Sequence, residues 1–184
     1  MVDCIEMEVR RATPHDAEAF AAVVAAVAAE DRWIGTEPPV DVEAFAARIR
    51  GEIEAGRDPR WVLEDDDGRV VGTMALSATA RGVSGLGMCI AEEARGRGGG
   101  HLLMDTALVH ALDDDLHKIE LEVWPDNARA IALYEAYGFE VEGVRRNHYR
   151  RRDGTLRSSV IMARLLADAD ADADADQSRP GAGT

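Results

Sequence analysis

Six consecutive residues, Arg95-Gly96-Arg97-Gly98-Gly99-Gly100, lie between a strand-like run ending at Ile90 and a helix-like run beginning near His101. A glycine-rich turn that opens a helix presents backbone N–H groups with no intrahelical partner, and the helix dipole adds partial positive charge at the same end. Glycine also lets a phosphate approach the backbone closely. This stretch therefore predicts a site for a phosphorylated ligand at a helix N-terminus. A nucleotide P-loop does not fit, because Lys-Ser/Thr would have to follow the glycines and His101-Leu102 follow instead. An arginine-glycine RNA-binding segment fits poorly, for want of aromatic side chains. A purely structural turn is the remaining competitor.

The elements around the turn must position it. Met7 to Arg11 predicts a first strand, and Thr13, Pro14 and Asp16 make the start of a helix running to about Ala29. Residues 31–40 read as a loop, and Asp41 caps a second helix that ends near Ala55 before Gly56. Arg60 to Glu64 and Arg69 to Ala78 flank an Asp-Gly hairpin signal. Val83 to Ile90 is a third strand of this group. It carries Gly85 and Gly87, a sign of a bulge or of close backbone approach. A helix follows the glycine turn to about Leu112. Lys118 to Val123 alternates, with Ile119, Leu121 and Val123 on one face and Glu120 and Glu122 on the other. A fourth helix spans about Asn127 to Tyr137, and Phe139–Tyr149 with Leu156–Leu165 make a closing hairpin. The whole predicts an α/β (α+β) domain over 1–166, with about seven strands and four helices. An Ala-Asp repeat from 167 to 184 is expected to be a disordered acidic tail.

Composition narrows the classes. The net charge is −14, of which the tail's five aspartates and one arginine leave −10 on the rest. There is one lysine, Lys118, against twenty arginines. Such an acidic surface suits high salt, where screening relieves its self-repulsion, and is read here as that of a halophile. It argues against nonspecific nucleic-acid binding. No segment nears the roughly 18 apolar residues of a membrane helix, and the acidic N-terminus has no secretory n-region, so a cytoplasmic location is expected. Cys4 and Cys89 make no disulfide framework, and the histidines have no metal-ligand spacing, so no metal is assigned.

With the order of elements in place, two motifs become specific. Arg95-x-x-Gly98-x-Gly100 resembles the R/Q-x-x-G-x-G/A signature of the GCN5-related N-acetyltransferase (GNAT) superfamily. Asn127-x-x-Ala130-x-x-x-Tyr134-x-x-x-Gly138-Phe139 resembles its second signature. Leu121-Glu122-Val123, Ala130 to Glu135 and Arg145 to Tyr149 are similar to the ribosomal-protein alanine N-acetyltransferase branch. The resemblance covers about residues 7–165. It implies a mixed central sheet splayed between strands 4 and 5, with acetyl-CoA as cosubstrate and a primary amine (a protein N-terminus, an amino acid or a small amine) as acceptor. The alternative is a non-catalytic acyl-CoA-binding regulatory module. A homodimer is left open, and no nucleic-acid or membrane partner is expected.

The resemblance also assigns residues. The pyrophosphate is expected over Gly96, Gly98, Gly99, Gly100 and His101, with Arg95 and Arg97 adding charge. The pantetheine arm is expected along Met88, Cys89 and Ile90, and Asn127 beside it. Tyr134, about two turns beyond Asn127 on the same helix face, is the candidate proton donor to the leaving thiolate. Glu122 is the candidate base, with Glu120 as fallback, and the oxyanion is expected on a backbone N–H near Cys89 or Ile90. A covalent role for Cys89 is set aside in favour of a small apolar thiol in a strand. The arginines at 145, 146, 150, 151, 152 and 157 form the one basic island. They are expected to be a solvated face neutralised by nearby acids, with an acidic acceptor or CoA phosphates as the other use. Arg157-Ser158-Ser159 stands where the alanine-acetyltransferase branch has acidic residues after its hairpin turn, a departure from the pattern that goes with that branch's peptide substrate.

Overall fold

The computed structural model describes residues 7–166; the expected tail and Cys4 lie outside the described residues. The strands are β1 (Glu8–Arg11), β2 (Arg60–Glu64), β3 (Val70–Ala80), β4 (Val83–Ile90), β5 (Lys118–Val123), β6 (Glu140–Arg150) and β7 (Leu156–Leu165). The helices are α1 (Ala17–Ala29), α2 (Val42–Glu54), α3 (Gly99–Asp113) and α4 (Ala128–Ala136). One seven-stranded sheet has the order β1-β2-β3-β4-β5-β7-β6. All neighbours are antiparallel except β4 and β5, which are parallel and so need the long crossover through α3.

Side-chain alternation along the strands divides the core in two. Trp61, Leu63, Met74, Leu76, Leu86, Ile119 and Leu121 pack on one face with Leu103, Met104 and Ala107 of α3 and Tyr134 of α4. Val62, on the opposite face, packs with Phe20, Ala21 and Val24 of α1 and Ala46 and Ile49 of α2. The glycine turn therefore lies under the first face, and residues 31–40, which have no helix or strand of their own, lead off the second.

The predicted elements stand with small shifts at their ends. The first helix opens as a 3-10 turn over Pro14–Asp16 before α1. Helix α3 begins at Gly99 rather than near His101, because the last two glycines of the turn are already helical. Asp41 caps α2 by accepting from the N–H of Ala44 at 2.9 Å.

Asp16 fastens the start of the chain. Its carboxylate accepts from the N–H and hydroxyl of Thr13 at 2.7 and 2.9 Å, and from both terminal nitrogens of Arg10 at 2.8 and 2.7 Å. Arg10 also donates to Glu64 at 2.6 Å, tying β1 to β2. The Arg10 guanidinium, helped by Thr13, holds the Asp16 carboxyl well below the usual carboxylate range. A depressed carboxylate contributes stability above its unfolded pKa of about 3.9, and loses it as pH falls toward the folded value. Asp16→Asn should therefore lower the unfolding free energy by about 1.5–3 kcal/mol near pH 7. Urea titrations should show that deficit shrinking below about pH 4, where the carboxyl of the unfolded chain takes up a proton while the folded one stays ionised.

Candidate active site

Strands β4 and β5 pair at only three positions, Val83–Lys118, Ser84–Ile119 and Gly85–Glu120, and then diverge. Beyond Gly85 no strand among the described residues lies beside the edge of β4. The N–H of Ala91 donates to the carbonyl of Val71, and Ile90 stands opposite Gly72 on β3. By the alternation of an antiparallel ladder, Gly87 and Cys89 direct their backbone groups to β3. Leu86, Met88 and Ile90 direct theirs into the gap. Gly87 has nothing within 4 Å of where a Cβ would lie, so the wall of the gap is open there.

The divergence creates a cleft of about 1050 Å³. It is lined along one side by Leu86–Ile90, at one end by Arg95, Gly96, Gly98, Gly99, Gly100 and His101, and across from β4 by Glu122–Trp124, Asn127 and Tyr134. The site residues picked from the sequence thus come together around one space, except Arg97, which is exposed and lies outside the lining.

The turn itself depends on its glycines. Gly96 and Gly98 adopt φ of +81° and +91°, and Gly98 is the N-cap of α3. At Gly99 a Cβ would sit 2.5 Å from the Cδ2 of Leu63, so the helix start is pressed against β2. The Arg95 side chain is not free for a phosphate. Its Nε donates to the carbonyl of Ile90 at 2.8 Å and its terminal nitrogens grip Glu30 at 2.7 and 2.5 Å. A cation that sequence reasoning passed over stands closer to the turn: the guanidinium of Arg129, in the first turn of α4, lies against Gly96 and lines the cleft. Nothing in the linear pattern marks Arg129, since its approach to Gly96 arises only when α3 and α4 pack.

Asn127 is the N-cap of α4, its Oδ1 accepting from the N–H of Ala130 at 3.2 Å, which leaves the amide NH₂ to donate elsewhere. Tyr134 is 8% exposed and packs against Phe139. Burial pushes its phenol up to about 12, so it holds its proton at neutral pH. Burial likewise pushes the Cys89 thiol up, and its sulfur lies 3.3 Å from the hydroxyl of Thr73. A thiol held protonated is a poor nucleophile.

Glu122 has three donors. Arg145 contacts Oε1 at 2.7 Å, while Tyr149 and Ser159 donate to Oε2 at 2.8 and 2.6 Å. A carboxylate has about four lone-pair directions, so one on Oε1 stays open. Desolvation, then the bond to Glu122, raises the Tyr149 phenol pKa. Ser159 and Tyr149 were not singled out as site residues, and the β6–β7 register that brings them to Glu122 is irregular between Arg145 and Tyr149. Trp33, Ile34 and Trp124 complete this end of the cleft.

The expected neutralisation of the basic island is largely what the contacts show. Arg151 is 7% exposed and bonds Asp31 and the carbonyl of Gly35. The backbone N–H of Arg152 donates to Glu37 and its guanidinium to the carbonyl of Pro38, while the guanidinium of Arg157 bonds Asp126 and the carbonyl of Arg32. These arginines fasten the 31–40 loop to the β6–β7 hairpin rather than standing free in solvent.

The profile described as the acetyltransferase (GNAT) family matches residues 25–139, and the chain belongs to that family. It is similar to the L-amino acid N-acetyltransferase AaaT of Escherichia coli (strain K12), 35% identical over 105 residues, which is 54% of this chain and 64% of that protein. The match thus spans less than two thirds of that relative's length. Among solved structures, a ribosomal-protein-alanine N-acetyltransferase from Brucella melitensis superposes with a TM-score of 0.75 at 28% identity, over 86% of this chain and 99% of the other. A phosphinothricin acetyltransferase from Sinorhizobium meliloti, solved in complex with acetyl-CoA, shares the fold with a TM-score of 0.78 at 21% identity, over 97% and 95% of the two chains.

Two glycines of the cleft should behave oppositely on substitution. Gly99→Ala should cost about 1–3 kcal/mol by overpacking Leu63. Gly87→Ala, meeting nothing, should stay within about 0.5 kcal/mol of the parent. Urea midpoints of the two variants provide the comparison.

Proposed function

We propose that this chain is an acetyl-CoA-dependent N-acetyltransferase, in which a primary amine attacks the thioester directly. The observation that carries this reading is the single cleft opened by the β4–β5 divergence, running from the glycine turn to Glu122 with Tyr134 in its wall. The GNAT family membership supports it.

In this reading the N–H groups of residues 96–101 and the α3 dipole hold the pyrophosphate, and Arg129 supplies the side-chain charge first looked for in Arg95 and Arg97. Met88 and Ile90 offer the backbone groups that a pantetheine amide chain needs, in the manner of an added strand. Cys89, whose backbone is turned to β3, contributes wall rather than hydrogen bonds. The N–H of Ile90 is therefore the candidate for the developing oxyanion, and the NH₂ of Asn127 faces the same arm. Tyr134 gives its proton to the departing thiolate. Glu122, through the open direction on Oε1, takes the proton of the amine directly or through water.

The acceptor end combines Trp33, Trp124 and Tyr149 with one carboxylate. Arg32 and Arg157 already stack on Trp33 and Trp124, so the open direction on Glu122 is what draws an ammonium group. The likeness to an L-amino acid N-acetyltransferase favours a free amino acid or small amine. A peptide N-terminus is the second reading, supported by the likeness to the ribosomal-protein enzyme.

Thiol release from acetyl-CoA against a panel of amino acids, small amines and peptides, run in molar KCl, tests the function and separates the acceptors. No release with any amine, together with no coenzyme A uptake by calorimetry, would overturn the proposal. Uptake without release would favour the regulatory module. Tyr134→Phe should slow turnover at least about tenfold, within the usual range for a positioned acid, with acetyl-CoA affinity little changed. Because the wild-type phenol titrates near 12, the rate–pH profile should show no loss from Tyr134 below about pH 11. Glu122→Gln should displace the rising limb of that profile to more alkaline pH, since the amine must then lose its proton unaided. A limb that stays in place would move the base role to another group.

A further inference from the structure

Arg95 opens the signature of the glycine turn, yet its guanidinium points to a different partner. It holds the carboxylate of Glu30 with two parallel bonds at 2.7 and 2.5 Å, and its Nε holds the carbonyl of Ile90. Glu30 is the C-cap of α1. The same carboxylate accepts the indole N–H of Trp33 at 2.6 Å, and Trp33 lines the cleft next to Arg32, whose carbonyl accepts from the Arg157 guanidinium stacked on Trp124. The Arg95 and Glu30 side chains are 22% and 23% exposed, so solvent screens the pair only partly.

From these contacts we propose that Arg95, Glu30 and Trp33 form a strut that couples the phosphate turn to the acceptor wall. Charge-assisted bonds between two planar groups fix orientation as well as distance. Arg95 sits beside Gly96, at the start of a turn whose two left-handed glycines give it little stiffness of its own. Trp33 sits in a loop with no helix or strand. A diphosphate that orders residues 96–100 therefore orders Arg95, and through Glu30 it sets the indole against which the amine must lie. Arg95 and Glu30 are positioning residues; neither touches a reacting atom. Coupling of this kind is reciprocal, so occupancy of the acceptor end strengthens diphosphate binding by the same factor.

The inference rests on the acetyltransferase reading, and its test separates the two. Deuterium exchange of residues 31–37 is followed with and without coenzyme A in the parent chain, in Glu30→Gln and in Trp33→Phe, with calorimetry for coenzyme A affinity. In the parent, coenzyme A should slow exchange in this loop about fivefold or more. Glu30→Gln, which breaks the paired grip at unchanged size, should bind coenzyme A within about threefold of the parent but lose the loop response, and its acceptor KM should rise about tenfold with kcat little changed. Trp33→Phe, which removes one N–H and keeps a ring, should lose the response in the same way. Arg95→Lys, which keeps charge without the fork, should give an intermediate response. A loop response that survives in Glu30→Gln, or a raised acceptor KM with the response intact, would overturn the strut. Uptake by the parent with no loop response overturns the coupling alone; no uptake at all overturns the acetyltransferase reading with it.

Discussion

The structure turns on a backbone problem. Two parallel strands in the middle of a sheet pair at three positions and then part, leaving the inner edge of β4 without a strand partner. Peptide groups in an interior need partners, and an open edge accepts another strand readily. The rest of the chain is arranged around that gap. The α3 crossover carries the glycine turn to one end of it, α4 brings Tyr134 and Asn127 along its far side, and β7 continues the sheet beyond β5 so that the parting does not divide the protein. A phosphinothricin acetyltransferase that shares the fold was solved in complex with acetyl-CoA.

Charge is organised with the same economy. On a chain of net charge −14 the arginines act mainly as internal cross-links. Arg10 joins β1 to Asp16 and Glu64, Arg95 joins the glycine turn to α1, Arg145 meets Glu122, and Arg151, Arg152 and Arg157 hold the 31–40 loop. Several of these contacts use two separate nitrogens of one planar guanidinium, a fork that the single ammonium nitrogen of a lysine does not offer. That gives a structural reason for twenty arginines beside a single lysine. Within the basic island, Arg151 and Arg157 are turned to this use, while Arg146 and Arg150 stay exposed.

Much of this was legible beforehand. Period-2 alternation marked β5, Asp41 and Asn127 marked helix starts, and the glycines marked the turn, because each is a local preference with a local cause. Of the two signatures, Arg95, Gly98, Gly100, Asn127, Ala130 and Tyr134 line one cleft, while Gly138 and Phe139 do not. What failed to read was the partner of each side chain. Arg95 looked like a phosphate ligand because it adjoins the turn, but Glu30, distant in sequence, claims its guanidinium. Arg129 looked unremarkable until α4 packed it over Gly96. Met88, Cys89 and Ile90 looked equivalent; the β3–β4 register makes alternate residues face opposite ways.

The sequence by itself determined the order of elements, the glycine turn at the head of α3 and the presence of a phenol and a carboxylate within reach of it, since these follow from spacing and conformational preference along one chain. Only the tertiary structure decided which amides face the cleft, which arginines stay available and which donors surround Glu122. Those outcomes depend on register between strands and on contacts between residues far apart in the chain, where a shift of one position turns a side chain or an amide to the opposite side.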